Sequence, residues 1–178
     1  MMKKSIFSWM TIVLMAFVCA GFTACGSDDD DNDGCSGGGS KSAKVNGQSY
    51  NLAYGFWDTR GNYTCFEFSN VDLRNPSSWP EKIDMLYFNV DGITSPQPGT
   101  YNGVGIEIYS FNSKKEGVYY PGASGIVNLT IAKSGNNYTF TIPETTINYY
   151  SNGNVDESTR VPFSFSWTGS LTYYDFDE

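Results

Sequence analysis

The amino-acid sequence predicts an all-β domain, an antiparallel β-sandwich of about nine short strands. From Lys44 onward, apolar and polar residues alternate with a period of two, the pattern of half-buried strands. Aromatic residues make up 16% of the chain and glycine contributes 19 residues, a composition typical of strands joined by tight turns. In this part of the chain, no window of ten or more residues has a helical period. A closed or partly open β-barrel is the alternative, since it also removes free sheet edges.

Three segments of different composition follow one another along the 178 residues. Residues 1–24 carry two early lysines, an apolar run and small residues, which together predict a signal peptide. Residues 25–43 hold five aspartates and a glycine-serine run, a composition that predicts a flexible tether. We expect residues 44–178 to form the β domain, because that length suits a single domain.

The strands and turns of this domain follow from local patterns. Asn46-Gly47 is a dipeptide typical of two-residue hairpin turns, and further turns are predicted at residues 60–62 and 134–137. Pro143 and Pro162 should lie at an interruption and at a strand start or edge, because proline donates no backbone hydrogen bond. The alternating runs predict strands around residues 50–57, 63–68, 83–90, 104–109, 127–132, 138–142, 147–149, 161–167 and 171–174.

The charge and the residue types present exclude several classes of function. The formal net charge is −8, which makes nucleic acid an improbable partner. The chain has no histidine, so the usual zinc ligands and a Ser-His-Asp relay are missing. No phosphate-binding loop or dinucleotide-binding motif occurs either. We therefore expect neither an enzyme nor a bound metal or cofactor.

Carboxylate pairs leave one catalytic alternative open. Glu67 and Glu107 each project from a strand, on the side opposite the aliphatic residues. Two such acids at a separation of about 5 to 9 Å can hydrolyse a glycoside. A small carboxylate-dependent hydrolase is therefore kept as an alternative, against the interpretation that both acids are solvated surface groups.

Aromatic residues outside the core are the candidates for ligand binding. Flat rings stack on the apolar faces of sugar rings, and neighbouring polar groups bond the hydroxyls. The alternative is that these rings cover sheet edges or pack under loops, whereas Phe163, Phe165 and Trp167 are predicted to be core. The candidates are Trp57, Trp79, Tyr119 and Tyr120, with Asp58 and Arg60 as hydrogen-bonding groups.

The N-terminal region resembles a bacterial lipoprotein. Phe22-Thr23-Ala24-Cys25 is similar to a lipobox, and the Ser27-Asp28-Asp29-Asp30-Asp31 run after it is similar to the surface-export signal of Bacteroidetes lipoproteins. From Val45 to Leu171, the chain resembles the all-β domains of small surface lipoproteins of that group, most of which have no assigned activity. The resemblance implies that Cys25 is lipidated and that the protein is anchored to the outer membrane and exposed at the cell surface.

If the signal is removed and Cys25 is lipidated, Cys35 and Cys65 remain in a compartment that tolerates disulfides. They either pair with each other or stay apart. The leading hypothesis for the whole chain is a lipid-anchored binding module for a glycan or host polymer. The alternative to it, besides the hydrolase, is a structural or accessory subunit of an envelope assembly with a protein partner.

Overall fold

The computed structural model describes residues 40–151 and 154–176, except for the side chains of residues 150–158. The predictions for the signal peptide, Cys25, Cys35 and residues 25–39 of the predicted tether lie outside the described residues, whereas residues 41–43 of that tether belong to a strand. The first strand begins at Lys41, three residues before the predicted start of the domain at residue 44. The described strands are β1 (Lys41–Val45), β2 (Gln48–Asn51), β3 (Tyr54–Arg60), β4 (Tyr63–Ser69), β5 (Lys82–Asp91), β6 (Gly99–Asn112), β7 (Tyr119–Ser134), β8 (Asn137–Ser151), β9 (Asn154–Gly169) and β10 (Thr172–Tyr173).

All ten strands join in one sheet in the order β10-β3-β4-β5-β6-β7-β8-β9-β1-β2. The sheet is curled into a half-barrel, an arrangement consistent with a β-sandwich or a partly open barrel. This confirms the all-β prediction. The described sheet has one strand more than expected, and β10 pairs with β3 in parallel, whereas the other pairs are antiparallel.

The predicted turns form where the sequence places them. Asn46 and Gly47 have φ values of 50° and 81°, as the two-residue turn between β1 and β2 requires. Gly61, with φ of 63°, turns β3 into β4, and Gly135, with φ of 58°, turns β7 into β8. Local turn chemistry therefore determines these three hairpins.

The run predicted as one strand over residues 50–57 is two strands far apart in the sheet. β2 is the edge strand next to β1, and β3 lies near the opposite edge. The chain crosses between them at Leu52, whose N–H donates to the Lys41 carbonyl at 2.7 Å. The Leu52 carbonyl accepts a hydrogen bond from Trp167 Nε1 at 2.9 Å. Alternation continues through the crossing, so the sequence pattern does not show that the hydrogen-bonding partners change there.

The two prolines occupy irregular positions in long strands. β8 passes Pro143 with a register shift between Ile142 and Thr145, because proline cannot donate to the ladder. Pro162 lies one residue beyond the last β1 pair of β9, which joins Val45 to Phe163. β9 already begins at Asn154, although the alternating pattern predicted this strand only around residues 161–167.

The main core fills the inner face of the curled sheet and joins its two halves. The Phe68 ring of β4 lies 5.0 Å, between ring centroids, from each of Phe140, Phe165 and Trp167 on β8 and β9. Each ring meets Phe68 nearly edge-on, a favourable aromatic geometry. Burying one such side chain stabilises the fold by about 1.5–3 kcal/mol. The prediction that Phe163, Phe165 and Trp167 are core residues is confirmed.

A second, smaller cluster covers the outer face of β3 to β6. Ile83 and Met85 of β5 belong to it, whereas Leu86 and Phe88 of the same strand belong to the main core. This explains why the β5 sequence is apolar at both parities. The buried members are Phe56, Val71, Leu73, Ile83 and Met85, and Trp79, Tyr109, Phe111, Tyr174 and Phe176 pack against them.

A substitution at Gly55 tests how tightly Trp167 is packed in the main core. A Cβ atom at Gly55 would lie 2.7 Å from Trp167 Cζ2, a contact that real Cβ atoms do not make. We expect Gly55→Ala to lower the free energy of unfolding by about 1–3 kcal/mol, because the packed indole cannot move aside. Urea unfolding followed by tryptophan fluorescence measures the change.

Gly105→Ala is the matched control. Gly105 also lies in a strand, and nothing is within 4 Å of the position its Cβ would take. This substitution should leave stability unchanged or raise it slightly. Equal unfolding midpoints for the two variants would contradict the close packing of Trp167 on Gly55.

Candidate functional site

Trp79 and Tyr119, two of the aromatic candidates, line one surface cleft of about 380 Å³. We call it the aromatic cleft; its described lining is Trp79 and residues 111–119. A single 3-10 turn, Pro76–Ser78, leads the chain into Trp79. The indole Nε1 donates to the Asp72 carbonyl at 3.0 Å, and the ring meets Phe111 edge-on with centroids 6.4 Å apart. Trp79 is therefore held in place before any ligand binds.

Tyr119 supplies the most exposed ring of the aromatic cleft. Its side chain is 52% exposed, and its residue pairs with Phe111 across β6 and β7. The Tyr119 ring lies 6.2 Å from Tyr109, whose ring is 6.4 Å from Phe111. The four aromatic residues of this region thus form a connected group on the outer face, part of which is open to solvent.

A polar loop borders these rings. Asn112 Nδ2 donates to Glu81 Oε1 at 2.8 Å, and the Ser113 N–H donates to the Glu81 carbonyl at 2.8 Å. The Ser113 hydroxyl also donates to the Pro80 carbonyl. These bonds attach the loop to the residues directly after Trp79. The exposed polar side chains of Lys114, Lys115 and Glu116 complete the lining.

The structure separates Trp57 from Asp58 and Arg60. Trp57 projects from the inner face of β3, packs against the main core and meets Tyr173 edge-on at 5.1 Å. Asp58 and Arg60 occupy the other parity of the strand, where Arg60 Nε lies 3.4 Å from Asp58 Oδ2. Neighbours in a strand face opposite ways, so the predicted grouping of the indole with these polar groups does not form. None of the three belongs to the described lining of the aromatic cleft.

Tyr119 and Tyr120 also face opposite sides of the sheet. Tyr120 lines a separate cavity of about 250 Å³, here called the mouth pocket. Lys82 of this pocket was not singled out from the sequence. The sequence feature that could have identified it is the pair Lys82 and Asp84, which occupies core-facing positions of β5 where the other core-facing residues are apolar. The described lining is Val45, Asn46, Gln48, Tyr50, Lys82, Ser110, Tyr120, Pro121 and Tyr149.

Glu67 and Glu107 lie on the outer face with a tyrosine between them. The register pairs Glu67 with Tyr87 and Tyr87 with Glu107, so the two acids are about 10 Å apart at two strand spacings. Burial raises the pKa of Glu67 to about 7, although the Arg60 charge opposes that rise. Burial also raises the pKa of Tyr109, and the negative charges of Glu67 and Glu107 add to the effect.

Cys65 is fully buried beside the same row of residues. Its sulfur lies 3.9 Å from the Tyr87 hydroxyl, which donates to Asn89 Oδ1 at 2.7 Å. Burial raises the pKa of the Cys65 thiol, which keeps it protonated and unreactive. Whether Cys65 pairs with Cys35 stays a prediction, since Cys35 lies outside the described residues.

The described residues contain neither a cluster of metal-ligating side chains nor a membrane-spanning helix. No group of three or more cysteine, aspartate or glutamate side chains in these ranges is arranged to hold a metal ion. No helix within them has the length and apolar character needed to cross a membrane.

Comparisons of the chain with protein-family models, curated proteins and solved structures found no match.

Glu67 should make stability depend on pH. Its pKa is about 7 in the folded protein against 4.5 ordinarily, so the folded state holds a proton that the unfolded state has lost between these values. Stability therefore falls as pH rises from about 4.5 to 7. Glu67→Gln removes this loss. We therefore expect the free energy of unfolding of the variant, relative to that of the wild type, to be about 2–3 kcal/mol higher at pH 8 than at pH 5.

Urea unfolding at both pH values measures this effect. Glu107→Gln, which removes an exposed carboxylate from the same face, is the control and should show no comparable gain. The same stability difference between Glu67→Gln and the wild type at pH 5 and pH 8 would contradict the burial of an ionisable Glu67.

Proposed function

We propose that the protein is a lipid-anchored cell-surface binding module that holds a glycan in the aromatic cleft. The proposal rests on one observation above all: Trp79 and Tyr119, separated by 40 residues, line the same cleft. A sugar ring has apolar C–H faces and hydroxyls at its edge. Rings beside a polar loop provide surfaces for both parts of such a ligand.

The fixed geometry of the cleft supports binding. Trp79 is held by Asp72 and Phe111, and the loop is bonded to Glu81. Groups that are already ordered lose little conformational entropy when a ligand arrives, so more of the contact energy appears as affinity. The cleft lies on the surface, which suits an internal segment of a polymer.

The proposed location rests on the N-terminal sequence. Lipidation at Cys25 would anchor the protein to the outer membrane, and the acidic residues after it resemble a surface-export signal. Residues 25–39 would then carry the β domain away from the membrane on a polar tether. A glycan-binding cleft at the cell surface would meet extracellular polymers.

The other two functions receive less support. A subunit that assembles by strand addition needs a free edge, and the two terminal strands of the sheet, β2 and β10, offer only four and two residues for it. A hydrolase needs two carboxyl groups with the substrate between them. Here Tyr87 occupies the register position between Glu67 and Glu107.

Tyr119→Ala tests the proposed glycan binding. The side chain is half exposed, so its removal should weaken polysaccharide binding at least fivefold while the fold is retained. Trp79→Phe should weaken binding less, because a ring remains. Affinity electrophoresis against a polysaccharide panel, followed by calorimetry on any polymer that retards the protein, measures both.

Tyr173→Ala is the matched control for Tyr119→Ala. Tyr173 is 56% exposed and lies on β10, outside the described lining of the cleft. Its removal should leave polysaccharide affinity unchanged. The proposal fails if the wild type binds no polymer of the panel, or if both tyrosine variants lose affinity equally.

Cys25→Ala tests the anchor. Metabolic labelling with a palmitate analogue should mark the wild type and not the variant, because the thiol is the proposed site of acylation. Protease added to intact cells should remove the β domain of the wild type. An unlabelled wild type, or one that protease leaves intact on cells whose other surface proteins are cut, would contradict the proposed location.

A further inference from the structure

The mouth pocket is built from the inner faces of strands in both halves of the sheet. β1, β2, β5, β6, β7 and β8 each contribute at least one residue to its lining. Val45 and Tyr50 belong to the main core as well, so the pocket ends in close-packed side chains. A ligand would therefore enter from the side away from the core. A cavity of about 250 Å³ has room for a single small ring.

Lys82 and Ser110 line this pocket, and both contact Asp84, which lies next to the lining. Lys82 Nζ lies 3.1 Å from Asp84 Oδ1, and the side chains are 41% and 15% exposed. The Ser110 hydroxyl donates to the same Oδ1 at 2.5 Å. The Asp84 backbone N–H donates to Asn70 Oδ1 at 3.0 Å, which holds the residue in position. Asp84 therefore holds the Lys82 ammonium and the Ser110 hydroxyl, the two groups that do line the pocket.

Tyrosine rings surround the ammonium group. Lys82 Nζ lies 5.4 Å from the Tyr50 centroid and 5.7 Å from the Tyr120 centroid, both within cation–π range. Burial raises the pKa of Tyr50, with the Asp84 charge and Tyr149 adding to it, so its hydroxyl stays protonated. The pocket thus combines ring surfaces with an ammonium held by Asp84 and with amide and hydroxyl groups.

The charge of the pocket indicates what it can hold. Lys82 and Asp84 neutralise each other, so the pair gives neither an anionic nor a cationic ligand a net electrostatic attraction. The chain as a whole carries a net charge of −8, which further disfavours anions. The hydroxyls of a neutral sugar suit this polar lining, since each hydroxyl both donates and accepts hydrogen bonds.

We infer that the mouth pocket is a second binding site, separate from the aromatic cleft, which takes one neutral sugar ring at the end of a glycan. Lys82, held in position by Asp84, donates to a ring hydroxyl, and Tyr120 and Tyr149 contact the apolar part of the ring. This site extends the proposed glycan binding but does not depend on the aromatic cleft. The cleft would take the interior of a polymer, whereas the mouth pocket would take its terminal residue.

The experiment uses the full-length protein and small sugars that are too short to need the cleft. Methyl glycosides of glucose, galactose, mannose and N-acetylglucosamine are tested by saturation-transfer difference NMR and titration, with glucuronic acid and glucosamine glycosides as charged comparisons. We expect at least one neutral glycoside to bind more tightly than either charged one. Asp84→Asn and Lys82→Met should each weaken its binding at least tenfold.

Two variants serve as controls. Lys133→Met removes a different lysine whose Nζ lies 4.9 Å from a tyrosine centroid, that of Tyr138, and Tyr119→Ala disables the aromatic cleft. Both should bind the glycoside within twofold of wild type. Circular dichroism melting establishes that each variant is folded. If Asp84→Asn does not fold, Lys82→Met decides the result, because the Lys82 side chain is substantially exposed.

The inference is overturned if no neutral glycoside binds the wild type, if a charged glycoside binds more tightly, or if the folded Lys82→Met variant binds as well as the wild type. It is also overturned if Tyr119→Ala abolishes glycoside binding. If only the proposal for the aromatic cleft is wrong, the result is different. Polymer binding is then absent, or it is unchanged by Tyr119→Ala, while the wild type still binds the glycoside.

Discussion

The contact of Phe68 with three rings from the other half of the curled sheet determines the rest of the architecture. β4 carries Phe68, and β8 and β9 carry Phe140, Phe165 and Trp167. These strands are separated by several others in the sheet order, so the contact requires the sheet to curl on itself. Trp167 also donates to the Leu52 carbonyl, which fixes the point where the chain crosses from β2 to β3. Aromatic packing and one buried hydrogen bond thus hold the two halves together.

Both candidate sites depend on this curl. On the outside, β5 and its neighbours present a second apolar face, and the loop through Trp79 covers part of it. Trp79 therefore lies near Phe111 and Tyr119 and forms the aromatic cleft. On the inside, Val45 and Tyr50 of the main core also line the mouth pocket, together with Lys82. One apolar framework supports a cleft on the outer face and a pocket on the inner face.

The alternation of side chains along strands decides which polar and aromatic groups can act together. Trp57 and Asp58 are adjacent in the chain but lie on opposite faces of β3, and Tyr119 and Tyr120 are divided in the same way on β7. Conversely, Tyr50 and Tyr120 come from distant parts of the chain and lie beside the same ammonium group. The side chains of both candidate sites are therefore brought together from different strands, and not from neighbouring positions along one strand.

Local chemistry in the sequence determined most of the strand-forming regions, three hairpin turns and much of the core. The Asn46-Gly47 turn, the double-faced apolar pattern of β5 and the burial of Phe163, Phe165 and Trp167 all follow from properties of a few adjacent residues. Trp79 and Tyr119 were identifiable as candidates for the same reason, since each is an aromatic residue beside a loop or strand end.

Only the tertiary structure decided which strands pair and which side chains meet. The alternating run over residues 50–57 contains no sign that its halves join opposite regions of the sheet. The same holds for the ion pair of Lys82 and Asp84, whose tyrosine neighbours come from β2 and β7. The physical reason is that the alternation of apolar and polar residues indicates only which face of a strand is buried. The choice of partner strand depends on how the whole chain buries its rings at once.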